Sequence, residues 1–350
     1  MHNMTIGIVH NIPCNDRGNR ADASSDVMTQ VDIIEETLNG LGYPTKRIPF
    51  IRDIEALCAT FRANKIDVIF NLCESVDEDA QLTAHPAALF ELLGIPFSGS
   101  PSAAIMLTTD KIMTKRLLRG TGIKTPACLR YDGSRYFNAS SLRLPVIMKP
   151  RYEDASIGID QGSVVETEDT LNDRLRHMHE QFGELIVEEY IEGREFNLSL
   201  FGYPSPRTMP IAEIDFSQYP KGLHRIVGYR AKWDKNSFEY KHTTRTFDCD
   251  IEQNLPTEME RIALQCFHYF SLRDYARIDM RLDGQNRIHV IEVNANPCLS
   301  PDAGFPASLA QANIHYSAMM HYLVTYMEHR RKHEDTKGGF GRPKQSIEHY

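Results

Sequence analysis

The sequence has no run of roughly 18 apolar residues, the length that a membrane-spanning helix needs. Its first residues, MHNMTIGIVH, also lack the architecture of a signal peptide. The seven cysteines are odd in number and have no CxxC spacing, which favours small buried side chains over disulfides or a zinc site. A basic excess is absent too, since the net charge is −8, and this argues against a nucleic-acid partner. We therefore expect a cytoplasmic protein without membrane or nucleic-acid contacts.

The first hundred or so residues alternate strand and helix patterns. Apolar runs at residues 4–11 and 66–72 are typical of buried strands, and helices are predicted over 26–40 and 80–93. This alternation predicts an α/β arrangement, a parallel sheet with helices on its faces.

The rest of the chain is strand-rich with separate helices, which predicts α+β lobes. A hairpin is predicted from residues 275–283 and 287–294, which flank the turn sequence GQN. The polar, Gly/Pro-bearing C-terminal end predicts disorder. The other predicted strands are 144–150, 185–191 and 195–202, and the other predicted helices are 109–120, 170–182, 257–270 and 317–331.

The predicted hairpin has chemically active side chains on one face. Arg277 and Asp279 alternate on one strand, and Glu292 and Asn294 alternate on its partner, with Asn296 continuing the pattern up to Pro297. Asp279, Glu292 and Asn294 form an all-oxygen set that suits Mg²⁺, while Arg277 is placed to neutralise a developing oxyanion. A surface salt bridge is the alternative, but four such groups on one face favour the metal site.

Three lysines stand where regular elements begin or end: Lys111, Lys149 and Lys232. Lys149 closes an apolar strand, and an ammonium group in that place suits phosphate oxygens. The Ser/Gly-bearing segment after it, with Ser156, is able to lay backbone N–H groups against phosphates. Each signal alone is more often a solvated residue or an ordinary turn.

In order and spacing these stretches resemble the ATP-grasp ligases, and within them the D-alanine–D-alanine ligases. The resemblance covers residues 65 to 325 and rests on LFELLGIPFSGS, DKIMTKRLLRGTGIKTP, LPVIMKPRYEDASIGI, LIVEEYIEGREFNLSLFG, AKW and ARIDMRLD…VIEVNANP. It implies a Rossmann-like N-terminal domain over 1–107, two α+β lobes over 108–190 and 191–328 that clamp ATP, and a disordered tail over 329–350. Segment 217–242 is the expected lid, and a homodimer is implied.

The resemblance also implies roles for individual residues. Lys111 and Lys149 are expected to hold the α- and β-phosphates, Lys232 the terminal phosphate, and Arg277 the transferred group. Two Mg²⁺ ions, or Mn²⁺, are expected on Asp279, Glu292 and Asn294. The other expected ATP contacts are Ser156, Glu188 and the backbone of Glu189 and Ile191 at the adenine, and Glu195 at the ribose.

The amino-acid pockets depart from the family pattern. Ala155 stands where a substrate-site serine is usual, Trp233 replaces a tyrosine, and Cys298 replaces a glycine. Asp302 and Ala303 occupy the place of another serine, and no N-terminal glutamate aligns within residues 10–26. We therefore expect an ADP-forming carboxylate–amine ligase. Its substrates are either two D-alanines or an amino acid and another metabolite, and a catalytically inactive nucleotide-binding regulator is the remaining alternative.

Overall fold

The computed structural model describes residues 4–13, 21–135 and 137–336, with the backbone alone for 21–24 and 333–336. The N-terminal residues 14–20, which carry part of the expected substrate region, lie outside the described residues. No helix in these described ranges is long and apolar enough to cross a membrane.

The N-terminal part contains a three-stranded parallel sheet in the order β2-β1-β3. Every residue of β1 (Ile6–His10) and β3 (Val68–Leu72) is buried, as is usual for strands covered by helices on both faces. The edge strand β2 (Thr45–Pro49) is more exposed. The predicted parallel α/β arrangement is thus confirmed, with helices α1 (Ala21–Gly40) and α2 (Ile54–Ala63) connecting the strands.

The helix predicted over 80–93 is present, but its predicted start is wrong, because the α-helix begins at His85. A short 3₁₀ helix spans Ala80–Leu82, and α3 (His85–Leu92) begins after it with Pro86 in its first turn. Proline favours the first turn of a helix because the missing N–H would have no partner there. A further helix, α4 (Ser102–Thr109), ends where Asp110 caps the next one.

The central part folds around a four-stranded antiparallel sheet in the order β4-β7-β5-β6. Its hydrophobic core forms mainly between this sheet and the amphipathic helix α6. The elements are α5 (Lys111–Gly120), β4 (Cys128–Tyr131), β5 (Val146–Pro150), β6 (Val164–Val165), α6 (Glu168–Phe182) and β7 (Leu185–Glu189).

The C-terminal part has a six-stranded antiparallel sheet in the order β11-β10-β8-β12-β13, with β9 paired to β8. The predicted hairpin is confirmed as β12 and β13, with a bulge between Asp279 and Met280. The strands are β8 (Gly193–Phe201), β9 (Arg207–Thr208), β10 (Ala212–Asp215), β11 (Thr244–Thr246), β12 (Tyr275–Asp283) and β13 (Ile288–Asn294). The helices are α7 (Tyr229–Trp233), α8 (Phe238–His242), α9 (Leu255–Tyr269), α10 (Gly304–Gln311) and α11 (Tyr316–Thr336).

Helix α11, near the C-terminus, packs against the N-terminal sheet and helix α1. Its apolar residues pack in one hydrophobic cluster with β1, β3 and α1, and its buried Arg330 forms an ion pair of 2.6 Å with Asp274. The predicted disordered tail over 329–350 is therefore wrong at its start, because the helix continues to Thr336. Residues 337–350 lie outside the described part of the chain.

Candidate active site

The polar face of the β12–β13 hairpin brings four predicted site residues together. Arg277 lies directly opposite Asn294, and Asp279 lies directly opposite Glu292. The Arg277 guanidinium donates from Nε and Nη2 to the two carboxylate oxygens of Asp279, at 2.7 and 2.8 Å. Asn197 on β8 donates a further hydrogen bond of 2.8 Å to Asp279. This arrangement fixes the Asp279 carboxylate beside that of Glu292.

Positively charged side chains from several parts of the chain lie around the Glu292 carboxylate. Burial acts to raise the pKa of its carboxyl, but the surrounding cations hold that pKa below its usual value. These cations are Lys111 from α5, Arg277 from β12, Lys232 from α7 and Lys149 from β5. All three predicted lysines and the predicted arginine therefore surround one carboxylate.

Lys149 lies in a charge triad with Glu188 and Lys115. Its Nζ donates to Oε2 of Glu188 at 3.1 Å, and Nζ of Lys115 lies 3.4 Å from Oε1 of the same carboxylate. Glu188 and Lys115 are each 1% exposed. Although burial raises the pKa of the Glu188 carboxyl, the two lysines hold it below its usual value. Lys149, with 15% of its side chain exposed, is the most exposed member of the triad.

The segment after Lys149 forms a tight loop. Ala155 and Ser156 both have positive φ angles, 53° and 61°, which is uncommon for residues with side chains and is often found at functional sites. At Gly158 (φ 76°) a Cβ would lie 2.7 Å from Cγ of Pro150, so only glycine fits. Lys111 Nζ donates to the carbonyl of Glu153 in this loop.

The predicted lid, residues 217–242, packs on that loop. The Ser156 hydroxyl donates to the Val227 carbonyl at 2.7 Å, and the Trp233 indole donates to the Ala155 carbonyl at 3.0 Å. Gln161 exchanges two hydrogen bonds with the backbone of His224. Ser156, expected at the phosphates through its loop, thus has its hydroxyl turned to the lid.

The predicted adenine and ribose contacts are held by arginines. The Glu189 carboxylate accepts from Nε and Nη2 of Arg143, so its side chain is not available to a base, and its backbone N–H donates to the Ala127 carbonyl at 2.9 Å. The Ile191 carbonyl accepts from Arg281 at 2.7 Å, and Oε2 of Glu195 accepts from the same guanidinium at 2.8 Å. Two arginines thus fix the strand ends that the nucleotide is expected to meet.

Two of the four predicted substrate residues, Cys298 and Asp302, lie beyond the end of β13, in acidic surroundings. Burial raises the pKa of the Cys298 thiol to about 12, so the thiol stays protonated and does not act as a nucleophile. The Cys298 thiol lies 3.5 Å from the Asp26 carboxylate, and the charge of Asp302 acts on that carboxylate. Burial also raises the pKa of Glu74 to about 7. Gln30 donates weak hydrogen bonds to both Asp26 and Glu74, at 3.4 and 3.3 Å.

Asn296, which continues the polar alternation in the sequence, leaves the metal face. The strand ends at Asn294, whose side-chain oxygen accepts from the Asn296 N–H at 2.9 Å. The Asn296 side chain accepts a hydrogen bond of 3.2 Å from the Tyr275 hydroxyl. Both hydrogen bonds hold Asn296 in the turn before Pro297.

The donor set of the hairpin fits Mg²⁺. Asp279, Glu292 and Asn294 supply oxygen atoms only, and facing carboxylates with amide oxygens are the hard ligands that this ion prefers. No group of three or more His, Cys, Asp and Glu side chains in the described ranges has metal-binding geometry. Any ion here would therefore rely on two carboxylates, an amide and oxygens from outside the protein, such as those of phosphates and water.

Three charged side chains around the candidate site were missed from the sequence: Lys115, Arg281 and Glu74. Lys115 follows Lys111 by four residues and so lies on the same face of α5. Arg281 continues the alternation of Arg277 and Asp279 along β12, and that periodicity alone was able to place it on the site face. Glu74 gave no signal, since it lies in a loop after β3.

These sheets and charges define an ATP-grasp fold, with two antiparallel lobes after an N-terminal α/β domain and four cations around one carboxylate. The D-ala D-ala ligase C-terminus family model matches residues 134–325. The chain therefore belongs to the D-alanine–D-alanine ligase family.

Relatives support the same family at modest identity. The chain is 29% identical to the D-alanine–D-alanine ligase of Carboxydothermus hydrogenoformans over 312 residues, 86% of this chain and 93% of that one. It is also 29% identical to an uncharacterized protein, y4sG, of Sinorhizobium fredii over 266 residues, 75% of each chain.

Solved structures show the same fold. The D-alanine–D-alanine ligase of Bacillus anthracis complexed with ATP matches with a TM-score of 0.74 at 22% identity, over 95% of this chain and 99% of that one. The D-alanine–D-alanine ligase of Coxiella burnetii matches with a TM-score of 0.70 at 16% identity, over 95% and 96% of the two chains.

Proposed function

We propose that the chain is an ADP-forming ligase that joins a carboxylate to an amine through an acylphosphate. The observation that carries this proposal is the convergence of Lys111, Lys149, Lys232 and Arg277 on Glu292, next to Asp279 and Asn294. Four cations beside carboxylate and amide oxygens suit the polyphosphate of a nucleotide, because its negative charge would offset the repulsion among these cations.

The roles of the residues follow from their places. Lys149 and Lys111 would hold the α- and β-phosphates, and Lys232 on the lid would hold the terminal phosphate. Ser156 would act through the backbone of its loop. The adenine would lie against Glu188 and the backbone at Glu189 and Ile191, and the ribose would donate to Glu195. Asp279, Glu292 and Asn294 would hold two Mg²⁺ ions, or Mn²⁺, which neutralise charge on the transferred phosphoryl group when bound.

The reaction has two steps. An oxygen of the acid substrate attacks the γ-phosphorus of ATP, the bond from that phosphorus to the bridging oxygen of ADP breaks, and an acylphosphate forms. The amine then attacks the acyl carbon, inorganic phosphate leaves, and the amine gives up its proton as the amide forms. Lys232 and Arg277 would stabilise negative charge in both steps. The lid would keep water from the acylphosphate.

Two classes of substrate are the alternatives for this ligase. Family membership favours two D-alanines. The altered pocket, with Ala155, Trp233, Cys298 and Asp302, favours an amino acid joined to another metabolite. An inactive nucleotide-binding regulator is disfavoured by the complete set of charged groups at the hairpin. A cytoplasmic location and a homodimer are further parts of the proposal, implied by the resemblance.

Purified protein with ATP and Mg²⁺ should release ADP when it meets its substrates. A panel of D- and L-amino acids, alone and in pairs with other carboxylates and amines, separates the alternatives. ADP release with D-alanine alone supports D-alanine–D-alanine ligation, and release only with another pair supports the second class. No release with any pair, despite measurable ATP binding, would contradict ligase activity and favour the regulator.

A further inference from the structure

Arg281 is a buried arginine on the same face of β12 as Arg277 and Asp279. Residues 277, 279 and 281 alternate along one strand, so their side chains project to the same side of the sheet. Arg281 is only 4% exposed, although the expected nucleotide position lies directly beside it. A buried guanidinium must be fully paired, because an unpaired charge in such a place is costly.

Arg281 pairs with only one of the two carboxylate oxygens of Glu195. Both Nε and Nη2 donate to the same oxygen of Glu195, Oε2, at 3.1 and 2.8 Å. Glu195 is 7% exposed. Within the residues that the structure describes, no hydrogen bond reaches its other oxygen, Oε1. A carboxylate with both oxygens free can accept one ribose hydroxyl on each oxygen, but here one oxygen already accepts two N–H groups of an arginine.

The same guanidinium reaches the other walls of the expected nucleotide position. Nη1 donates to the Ile191 carbonyl at 2.7 Å, and Nη2 donates to the Arg225 carbonyl in the lid segment. The Tyr190 ring lies 5.0 Å from the guanidinium carbon, and its hydroxyl accepts from the Arg225 N–H at 3.1 Å. Arg281 therefore fixes the strand end, the ribose carboxylate and the lid base with one planar group.

We propose that Arg281 is a positioning residue that determines nucleotide specificity by presenting Glu195 to the ribose through a single oxygen, Oε1. This rests on the proposed ATP site. The ribose hydroxyl that is better aligned with Oε1 then makes the stronger, charge-assisted hydrogen bond, and the other hydroxyl has no carboxylate oxygen of its own. Consequently the protein discriminates strongly against one deoxy form of ATP and tolerates the other.

The test is direct binding by calorimetry on the full chain with Mg²⁺, using ATP, 2′-deoxyATP and 3′-deoxyATP. The wild type should lose roughly tenfold or more in affinity for one deoxy nucleotide and less than about threefold for the other, as expected for one hydrogen bond to a charged group. Arg281→Met, which keeps the length of the side chain, should weaken ATP binding about tenfold and reduce the difference between the two deoxy forms. Arg281→Lys should give an ATP affinity and a deoxy discrimination between those of the wild type and Arg281→Met. It also tests the proposal if the methionine variant does not fold.

The matched control is Arg194→Met. Arg194 is the chain neighbour of Glu195 and forms its own bidentate pair with Glu213, at 2.6 Å for both contacts, so it lies on the opposite face of β8. This variant should keep both the ATP affinity and the deoxy discrimination. The proposal is overturned if both deoxy nucleotides are penalised alike by the wild type, or if both Arg281 variants keep the wild-type affinity and discrimination. No ATP binding by the wild type would instead refute the nucleotide site itself.

Discussion

Lys115→Met should destabilise the fold far more than it changes the chemistry. The Lys115 ammonium is enclosed between the Glu188 carboxylate, 3.4 Å away, and the Ile291 carbonyl, to which it donates at 2.7 Å. Methionine has nearly the same length but no charge and no donor. The substitution therefore leaves a buried carboxylate with one cation in place of two, and a buried carbonyl without its partner.

The magnitude follows from these contacts. Removing one partner of a buried ion pair costs about 3–5 kcal/mol. Lys149, at 3.1 Å from the other oxygen of Glu188, still neutralises part of the charge, so the lower end of that range applies. With the lost hydrogen bond to Ile291 added, we expect a decrease of about 3–4 kcal/mol in the free energy of unfolding.

Urea unfolding followed by circular dichroism measures this loss, and two further variants control it. Lys149→Met removes the more exposed lysine of the triad and should cost less than about 2 kcal/mol, because its ammonium is partly hydrated before the change. Lys115→Met combined with Glu188→Gln removes both charges and should be more stable than Lys115→Met alone. A decrease below about 1 kcal/mol for Lys115→Met, or no recovery in the double variant, would refute the argument that a buried charge is left uncompensated.

Three other predictions concern activity and pH. Lys149→Ala should lower ATP affinity and turnover about tenfold or more through the loss of an ammonium at the phosphates, and unchanged kinetics would remove it from the site. Asn294→Asp adds a carboxylate beside Glu292 and should shift the Mg²⁺ titration of activity, whereas an identical titration would count against the metal assignment. Glu74 has a pKa raised from 4.5 to about 7, so its contribution to stability is complete below pH 4.5 and is lost as the pH rises through 7. Glu74→Gln should therefore gain stability relative to the wild type over that window, by up to about 3 kcal/mol in melting experiments, and a constant difference would contradict the shift.

The sequence predicted best what depends on local periodicity. Alternation along residues 275–283 and 287–294 placed Arg277 and Asp279 opposite Asn294 and Glu292, since a strand has only two faces. The alternation of apolar strand runs with helix patterns in the first hundred or so residues predicted the parallel sheet that contains β1 and β3. Both inferences needed only patterns along the chain.

What the sequence did not predict depends on contacts between distant segments. The triad around Glu188 joins α5, β5 and β7, and no spacing in the chain relates these elements. Arg281 was overlooked although it shares the periodicity of Arg277, because its significance lies in partners from three other segments. The helix boundary at His85 was missed because Pro86 was treated as interior when it belongs to the first turn.

Trp233 gives the molecule an optical signal of its own. It is the only tryptophan in the sequence, and its indole N–H, in the predicted lid, donates to the Ala155 carbonyl. An opening of the predicted lid would break this hydrogen bond and admit water to the ring, which would change the emission of a single chromophore. Stopped-flow fluorescence on the unlabelled protein therefore tests whether the predicted lid moves, and at what rate, before a single substrate has been identified.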